Sequence, residues 1–575
     1  MALRKFHFAL GPVQSFVSQS RRTRDLWAGS FIISHLTAQA MANVIQQGGR
    51  IEFPAISNQS GRVTDVLVAA AINGTPPAHF LGTIPNRFVA EVPEAFDPAQ
   101  PVQAVSREWQ NIARHVWDAS IAPYAHYGNQ TQQIWARQVD TFWEMTWALG
   151  DDMDLLDRRK NWRTHTWLPE EGVKCVMMPQ FQEISGQWAS QKRQAFWHVI
   201  KAGLASDLDL KDDEHLCAIA LIKRLYPVVA EKYGWTGVPA TYPSTIELAV
   251  SSWRERQRRE NPKWYQAYIN LARRAQFKDM SEGRHDGDPA LFYEGTLTNR
   301  ELWAPEMEEL RRQMQQALAT TPSRPTPYYA VLLMDGDHLG GLLQSQGGAR
   351  VSEALAQFTH EVPPIIKAAF GTLVYAGGDD VLALLPRENV LQAAFALRQS
   401  YQKAMHQLGG TISGTALFAH MHAPLTTLIP TAHKILDQTA KDGNGRDSLA
   451  LAIWNSGGLD VSWVSKWDPL IAETPLQRLS QYLGDTVSSQ FLFKVQELER
   501  RLGNALPLED WVPLLMSELR KSFDDEGVPS LAALQDIIQA LITLSQGRNE
   551  ITQNLGLSSA LKVLRFIAKD QEVIV

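Results

Sequence analysis

Two apolar segments of this 575-residue chain each run directly into a pair of aspartates. The first, YYAVLLMDGDHLGGLL, contains Asp335 and Asp337, and the second, LVYAGGDDVLALLP, contains Asp379 and Asp380. Short apolar runs bounded by glycines predict buried strands. Two like charges at a strand tip cost free energy through repulsion and loss of hydration. A fold that keeps these charges there must leave them hydrated or place a cation beside them.

The composition is that of an ordinary globular protein of several domains, with 45% hydrophobic and 20% charged residues. A net charge of −6 means that any contact with nucleic acid depends on local patches. Two cysteines are too few for a disulfide framework or a four-cysteine zinc site. The N-terminus has no apolar segment typical of a signal peptide, and no apolar run reaches about 18 residues. We therefore expect a cytoplasmic protein without a membrane span.

The hydrophobic pattern predicts an α+β protein with four regions. Residues 1–100 contain strand patterns and one long helix, SFVSQSRRTRDLWAGSFIISHLTAQAMANVIQQGG, that ends at Gly48 and Gly49. Residues 101–320 are mainly helical, and the proline-rich linker TTPSRPTP marks the next boundary. Residues 321–465 alternate strands and helices around the aspartate pairs. Residues 466–575 read as a helical bundle.

The aspartate pairs meet at one edge if their strands are neighbours in an antiparallel sheet. Oxygen ligands of this kind suit a hard divalent cation such as Mg²⁺, which commonly also binds substrate phosphates. Gly377 and Gly378 allow a tight turn and close approach of a ligand, and the loop 336–341 leads into a helix whose first N–H groups can bind phosphate. Taken singly, GGDD could be a solvated turn and DGD a helix cap. Their joint occurrence in one α+β region favours the metal site.

Several motifs resemble a known family. The two aspartate segments, together with SGTALFAHMHAPL and AHKILDQTAKDGNGRDSLAL, resemble the palm domain of the type III-B (Cmr-type) CRISPR large subunit, which is similar to the palm of GGDEF-type nucleotide cyclases. FALGPVQSFVSQSRRTRDLWAGSFIISHL and IPNRFVAEV resemble the first palm-like domain of the same subunit. The segments YPSTIELAV, LCAIALIKRLYP and DPALFYEG occur in the order expected between them. The resemblance covers nearly the whole chain and implies two ferredoxin-like palms, an intervening helical region with returning palm segments, and a C-terminal helical bundle.

The resemblance implies an RNA-guided effector complex in which target RNA activates the palm to convert ATP into cyclic oligoadenylates. The 3′-hydroxyl of one ATP would attack the α-phosphate of another and release pyrophosphate. Asp335 and Asp379 would be catalytic ligands of Mg²⁺ or Mn²⁺, supported by Asp380, and Gly336 would contribute its backbone carbonyl. The expected partners are other Cmr-type subunits, guide RNA and target RNA.

Further positions are expected to contact ATP. Asp337, Gly377 and Gly378 belong to the two aspartate motifs, and Ser413 lies on a predicted strand from which it could reach nucleotide or simply pack in the sheet. Lys441 and Arg446, in AKDGNGRD, match basic positions of the cyclase-like motif and could contact triphosphate oxygens. A solvated turn after a helix explains these two residues about equally well.

Two other groups of residues remain open at the sequence level. Arg21, Arg22 and Arg24 lie in one predicted helix and could form a phosphate or partner surface, or ion pairs with Asp25. His338, His420 and His422 lie near the motifs, but their spacing is not that of a metal-ligand set. We expect these histidines to serve the core or an adenine pocket.

The sequence departs from the family pattern in two places. Many relatives begin with an HD nuclease domain, whereas here the GPVQ motif starts at residue 11 and the one His-Asp dipeptide, His285-Asp286, lies mid-chain. We therefore expect no HD DNase activity. A cysteine-rich zinc element often lies between the palms, but here only Cys175 and Cys217 occupy comparable places. We expect this element to be degenerate and to bind no zinc.

Three alternatives differ from a cyclic oligoadenylate synthase. The palm could join ATP to another adenosyl-containing acceptor, because a metal site constrains phosphoryl transfer more than it constrains the acceptor. The chain could instead be a non-catalytic nucleotide-binding scaffold, although four clustered aspartates favour catalysis. A free-standing diguanylate-type cyclase is disfavoured by the motifs of the N-terminal region.

Overall fold

The computed structural model describes most of the chain, namely residues 4–57, 61–77, 80–152, 155–156, 169–204, 210–235, 238–239, 242–276, 287–321, 323–471, 489–502, 506–521, 530–545 and 556–568. The chain divides into two compact units. The first contains Met1–Ser244, Leu342–His360 and Val374–Gly378, and the second contains Thr245–Gly341, Glu361–Leu373 and Asp379–Val575.

The first unit is built on a four-stranded antiparallel sheet. Its strands are β1 (Arg4–Gly11), β2 (Arg50–Phe53), β3 (Arg87–Val92) and β4 (Glu144–Leu149), in the order β2-β3-β1-β4. This is the strand order of a ferredoxin-like βαββαβ fold, as expected for a palm. The fully buried rings of Phe6 and Phe8 on β1 pack against Phe88 on β3 and fix the sheet in the core.

The helices of the first unit cover this sheet and continue into the region predicted to be helical. They are α1 (Gln14–Ser18), α2 (Thr23–Gln46), α3 (Val66–Asn73), α4 (Ala99–Val116), α5 (Thr131–Thr141), α6 (Ser190–Ala202) and α7 (Ala218–Val229). The prediction of one long N-terminal helix is wrong, because the chain breaks between α1 and α2. The Asp25 carboxylate accepts hydrogen bonds from the backbone N–H groups of Arg21 (3.2 Å) and Arg22 (3.1 Å) and so caps a new helix at Thr23.

A six-stranded sheet includes the aspartate segments. Its strands are β5 (Tyr328–Gly336), β6 (Thr372–Gly377), β7 (Asp380–Pro386), β8 (Ile412–His420), β9 (Ser448–Asn455) and β10 (Gly458–Lys466), in the order β10-β9-β8-β5-β7-β6. The four strands β8-β5-β7-β6 repeat the ferredoxin-like order, so the predicted second palm is confirmed. Strand β9 adds parallel to β8, and β10 pairs antiparallel with β9.

The register of β5 explains why Asp335 meets the aspartates of the GGDD motif. Strand β5 pairs antiparallel with β7, and Met334 lies opposite Val381. The end of β5 at Asp335 therefore lies beside the start of β7 at Asp380. The neighbour of β5 is thus the return strand VLALLP, whereas β6 lies one position further out.

The helices of the second unit flank this sheet and form the C-terminal region. They are α8 (Thr245–Glu260), α9 (Pro262–Ala272), α10 (Glu294–Thr298), α11 (Glu308–Ala319), α12 (Leu339–Gln346), α13 (Gly348–Ala368), α14 (Val390–Met405), α15 (Leu425–Ile435), α16 (Trp467–Ile471), α17 (Ser489–Leu502), α18 (Leu508–Arg520), α19 (Leu531–Ser545) and α20 (Leu557–Ala568), of which α12 and α13 cross the boundary between the units. A π-helical turn, Leu436–Asp442, follows α15.

The predicted helical C-terminal region is confirmed, and its last helix anchors it to the sheet of the second unit. The ring of Phe566 on α20 contacts Tyr328 on β5 and Phe418 on β8, with centroid distances of 4.9 and 5.4 Å. Within the described residues, none of the helices combines the length and the apolar character that crossing a membrane requires.

Candidate active site in the second palm

Three carboxylates form a cluster where β5 ends and β7 begins. One ligand oxygen from each of Asp335, Asp379 and Asp380 lies within 4.8 Å of the others. We call these residues the carboxylate triad. An all-oxygen set of this kind fits Mg²⁺ or Mn²⁺, which prefer carboxylate ligands. Among the described residues, this is the one group of three or more acidic, histidine or cysteine side chains close enough to hold a metal ion.

A single lysine partly neutralises the triad. Lys441, at the end of the π-helical turn, donates a hydrogen bond to Asp335 Oδ2, and its side chain is only 11% exposed. Asp335 itself is 32% exposed, so the pair lies at the rim of the site. The sequence left Lys441 open between a contact with triphosphate and a solvated turn; in this structure its partner is Asp335, a proposed metal ligand, and the contact with triphosphate stays a prediction.

The triad carries more negative charge than its surroundings neutralise. Loss of hydration and the neighbouring Asp335 carboxylate raise the pKa of Asp379 to about 7. Loss of hydration, Asp335 and Asp379 likewise raise the pKa of Asp380 well above its usual value, although Asp380 is itself exposed. Lys441 opposes both shifts without cancelling them. A site with this excess of negative charge favours binding of cations.

Gly336 is required by close packing at the base of the triad. A Cβ atom at this position would lie 2.7 Å from the Asp379 Cβ and Oδ2 atoms and 2.8 Å from the Tyr401 hydroxyl. Tyr401 is fully buried on α14, and Asp379, Asp337 and Asp335 contribute to the increase in its pKa after burial itself. Glycine therefore allows Asp379 to lie directly against the end of β5.

Asp337 and Ser413 bind each other instead of joining the triad. Asp337 is 2% exposed, and Ser413 is fully buried directly across from Asp335 on β8. The Ser413 hydroxyl donates to Asp337 Oδ1 (2.8 Å), and the Thr411 hydroxyl donates to Asp337 Oδ2 (2.8 Å). The backbone N–H of Asp447 also donates to Asp337 Oδ2 at 3.0 Å. Both oxygens of the Asp337 carboxylate therefore accept hydrogen bonds from within the protein.

Arg446 lies in the loop that joins the π-helical turn to β9. Its guanidinium is 29% exposed and lies 3.9 Å from the Asp442 carboxylate, which is a weak ion pair. Its backbone N–H donates to the Lys441 carbonyl at 3.0 Å. Lys441 and Arg446 are thus connected through one loop, and Arg446 keeps an accessible charge.

The two glycines of the GGDD motif belong to the first unit by its contacts. Gly378 has φ +66°, which favours glycine, and its carbonyl accepts a hydrogen bond from the Thr359 hydroxyl at 3.2 Å. A Cβ at Gly377 would lie 2.8 Å from the Thr83 carbonyl oxygen. Both glycines have structural reasons to be glycine, and their contact with nucleotide stays a prediction.

The histidines do not gather at the triad. Ser413 lies opposite Asp335 on β8, whereas His420 lies opposite Tyr328 at the other end of the same strand. Seven residues of extended chain span about 23 Å. His422 lies beside His420, with a ring centroid distance of 5.3 Å. The idea that these two histidines lie near the motif is therefore wrong, while His338 directly follows Asp337 with φ +55°.

The basic residues near the start of α2 take part in a buried ion-pair cluster. Arg224 is fully buried and donates to Asp25 Oδ2 (2.8 Å) and Glu214 Oε2 (2.8 Å), and Arg22 donates to Glu214 Oε2 (3.0 Å). We call Arg22, Asp25, Glu214 and Arg224 the arginine cluster. Burial raises the carboxyl pKa values, but Arg224 outweighs it and lowers those of Asp25 and Glu214 to about 2.

Arg21 and Arg24 differ from Arg22 in their surroundings. Arg21 is exposed and lies 3.7 Å from both Asp213 and Glu214, and Arg24 is half-buried. The partner of Asp25 proves to be Arg224, which the sequence interpretation did not consider. Ion pairs are therefore observed for Arg21 and Arg22 with Glu214, whereas a phosphate or partner surface formed by Arg21, Arg22 and Arg24 stays a prediction.

The two cysteines lie together although they are 42 residues apart in sequence. Both are buried free thiols. Cys175 Sγ accepts hydrogen bonds from the backbone N–H groups of Met177 (3.4 Å) and Met178 (3.3 Å). Although burial raises it, hydrogen bonds from Cys217 and from these amides lower the pKa of Cys175. The absence of zinc here stays a prediction, and the dipeptide His285-Asp286 lies outside the described residues.

Comparison with known proteins agrees with this geometry. Residues 6–119 match the family model described as the N-terminal region of the CRISPR-associated protein Cmr2, and residues 328–450 match that of the second palm domain of Cas10/Cmr2. The CRISPR system Cmr subunit Cmr2 of Pyrococcus furiosus is 23% identical over 662 aligned positions, which cover 96% of this chain and 73% of that protein.

Two cryo-EM structures of type III-B Cmr-beta contain chains of similar fold. The chain from the assembly bound to cognate target RNA has a TM-score of 0.65 and 12% identity, covering 99% of this chain and 83% of that one. The chain from the apo state has a TM-score of 0.61 and 12% identity, with coverage of 95% and 82%. At this identity the likeness concerns the fold. In its two matched regions and along most of its length, the chain is therefore similar to Cas10/Cmr2 CRISPR-associated proteins, which confirms the resemblance that its motifs predicted.

Proposed function

We propose that this chain is a nucleotidyltransferase that converts ATP into cyclic oligoadenylates within an RNA-guided Cmr-type complex. The observation that supports it most is the carboxylate triad at the junction of β5 and β7, which one lysine leaves under-neutralised. Such a site favours two kinds of ligand together, a divalent cation and the polyphosphate that the cation accompanies. The family assignment supports a palm that acts on nucleotides.

The proposed chemistry assigns separate roles to the residues of the site. Asp335, Asp379 and Asp380 would hold divalent ions, which when bound lower the pKa of an attacking hydroxyl and stabilise negative charge on a leaving pyrophosphate. Gly336 keeps the end of β5 in contact with Asp379 and would offer its carbonyl as an additional ligand. Lys441 and Arg446 would hold triphosphate oxygens and keep the α-phosphate in line with the attacking 3′-hydroxyl.

We further propose that the chain works with Cmr-type subunits, a guide RNA and a target RNA. One structure of similar fold is described as Cmr-beta bound to cognate target RNA. Binding of target RNA would then act as the signal that makes the palm active. The proposal includes no role for zinc.

The decisive experiment uses the complex reconstituted with guide RNA, target RNA, Mg²⁺ or Mn²⁺ and labelled ATP, with products identified by mass spectrometry. We expect cyclic oligoadenylates and pyrophosphate in amounts that depend on target RNA. The matched variant carries Asp379→Ala with Asp380→Ala and should yield neither product.

Each contrary outcome has a distinct meaning. No product from the wild-type complex, or product unaffected by the double substitution, would contradict the proposed synthase. A product that joins AMP to a different acceptor would retain the nucleotidyltransferase and reject cyclic oligoadenylate as its product.

A further inference from the structure

Beside the carboxylate triad, the loop 443–447 adopts a strained backbone. Three successive residues have left-handed conformations: Gly445 (φ +67°), Arg446 (φ +64°) and Asp447 (φ +45°). Only Gly445 is a glycine, and L-residues such as Arg446 and Asp447 adopt this conformation at a cost in free energy. Such a run persists only where the surroundings hold it in place. The groups that hold this loop are buried or half-buried and have no part in the proposed chemistry.

Lys466, at the end of β10, holds the loop from its carbonyl side. Its ammonium donates hydrogen bonds to the carbonyl oxygens of Asn444 (2.7 Å), Gly445 (3.3 Å) and Arg446. The side chain is half-buried, and loss of hydration lowers its pKa. An ammonium has three N–H donors, so these three carbonyls can satisfy it completely. One cation thus binds three consecutive carbonyls that the left-handed run turns toward it.

Asp337 holds the other side of the loop. Its carboxylate accepts the backbone N–H of Asp447 at 3.0 Å while it also accepts the hydroxyls of Ser413 and Thr411. The Asp447 side chain in turn accepts a hydrogen bond from Arg398 on α14 at 2.7 Å. The loop is therefore tied to β8, β10 and α14, which are rigid elements of the second unit.

We infer that Lys466 and Asp337 are positioning residues that lock the 443–447 loop so that Lys441 and Arg446 present their charges to the triphosphate of the nucleotide. The inference rests on the proposed function, because it assigns the loop a polyphosphate ligand. The loop begins just after Lys441, which contacts the triad, and it carries Arg446, whose charge remains accessible. Because the strained loop is held from both sides, these two cations keep a fixed separation before the nucleotide binds. Binding then requires no further loss of conformational entropy to order them.

The test compares affinity for nucleotide with affinity for metal in the full-length chain. Lys466→Met removes the ammonium but keeps most of the volume, and Lys466→Arg retains a cation that can donate to carbonyls. Asp337→Asn replaces one carboxylate oxygen by an amide NH2 group, which cannot accept the hydrogen bonds made at that position. The control is Lys562→Met, which removes an exposed lysine paired with Asp460 elsewhere in the same unit.

We expect Lys466→Met and Asp337→Asn to weaken binding of MgATP by about 10- to 100-fold, the range typical of residues that orient a binding group. Binding of Mn²⁺ to the triad in the absence of nucleotide should change by less than about twofold, because the triad is held by β5 and β7. Lys466→Arg should restore most of the affinity for MgATP. The control should bind both ligands as the wild type does.

Several results would overturn the inference. Equal losses of MgATP and Mn²⁺ affinity in Lys466→Met would mean that Lys466 only supports the fold. An unchanged affinity for MgATP would mean that the loop does not position the cations. Failure of the wild-type chain to bind MgATP would reject the proposed function together with the inference, and this outcome is distinguishable because the wild type itself fails.

Discussion

Two groups of carboxylates in this molecule differ in how completely their charge is neutralised. In the arginine cluster of the first unit, the fully buried guanidinium of Arg224 binds both acidic side chains, and their pKa values fall to about 2. In the carboxylate triad of the second palm, three carboxylates share Lys441, and the pKa of Asp379 rises to about 7. The first group is electrostatically complete, whereas the second needs a further cation. Acidic residues that remain under-neutralised in a folded protein indicate a site.

The two sheets share a strand order but differ in the residues at their strand ends. Both contain four strands in the ferredoxin-like order. In the first sheet, β1 ends at Gly11, and β2 and β3 are separated by residues 54–86. In the second, β5 ends in Asp335-Gly336, and β6 and β7 are joined by two residues. The second sheet places carboxylates at the adjoining ends of β5 and β7, whereas the corresponding ends of β1 and β3 in the first sheet carry Gly11 and Arg87, so the fold supplies the position and the side chains decide the chemistry.

Removal of a triad carboxylate should produce the largest effect. We expect Asp379→Asn to lower the rate of nucleotidyl transfer by roughly 10³-fold, since it removes a ligand of the charge-stabilising ions. The apparent melting temperature without metal should stay equal or rise, because repulsion within the triad is relieved. Calorimetry and the product assay on the reconstituted complex measure the two quantities. A fall in stability comparable with that of a core substitution would mean that the triad, like the arginine cluster, stabilises the fold.

Removal of Arg224, the central arginine of the arginine cluster, should lower stability, whereas removal of a triad carboxylate should not. Arg224→Met should lower the free energy of unfolding of the first unit by about 3–5 kcal/mol, because it leaves buried carboxylates without a partner. Denaturant unfolding followed by tryptophan fluorescence checks this. The control Arg4→Met removes an exposed ion pair with Glu94 in the same unit and should cost less than about 1 kcal/mol. Equal effects of the two substitutions would mean that the cluster is not structural.

Filling the space at Gly336 should disturb catalysis without removing any charge. Gly336→Ala places a methyl group against Asp379 and the Tyr401 hydroxyl, and we expect a loss of activity of about 10²-fold from misplacement of the triad. Gly340→Ala is the matched control, because a Cβ there meets no atom within 4 Å. If the two variants retain the same activity, close packing at the base of the triad is unimportant.

The two groups of carboxylates should give opposite pH dependence. The folded-state pKa of Asp379 is raised to about 7, so the metal-free protein should lose stability as the pH rises from about 4 to about 7. The pKa values of Asp25 and Glu214 are lowered to about 2, so their stabilisation should be complete above about pH 5 and be lost as the pH falls toward 2.

Melting curves recorded with chelator between pH 4 and 8 measure the expected loss of stability of the metal-free protein as the pH rises. Asp379→Asn with Asp380→Asn should flatten it, and Mn²⁺ should do the same in the wild type by stabilising the ionised carboxylates. A wild-type slope that persists unchanged in the double variant would assign the trend to other groups.

Local structure near the site followed from the sequence to within about two residues. The strand predicted to run into Asp335 is observed as Tyr328–Gly336, and the return strand after the GGDD motif is observed as Asp380–Pro386. These predictions succeed because apolar runs, glycines and turn residues act over a few positions. The single long helix predicted near the N-terminus failed for the opposite reason, since its break depends on Asp25, whose position is fixed by the distant Arg224.

The sequence by itself determined the composition of the site, a family resemblance and the presence of two aspartate pairs at strand ends. Only the tertiary structure decided which of the four aspartates act together. Pairing of β5 with β7 and β8 brings Asp335 to the GGDD aspartates and turns Asp337 to Ser413 and the 443–447 loop. Strand β5 ends at Gly336, so Asp337 lies beyond the strand pairing that places Asp335, and two aspartates close in sequence can serve different purposes. The roles of Lys441 and Lys466 likewise depend on partners 106 and about 20 residues away, which no local pattern records.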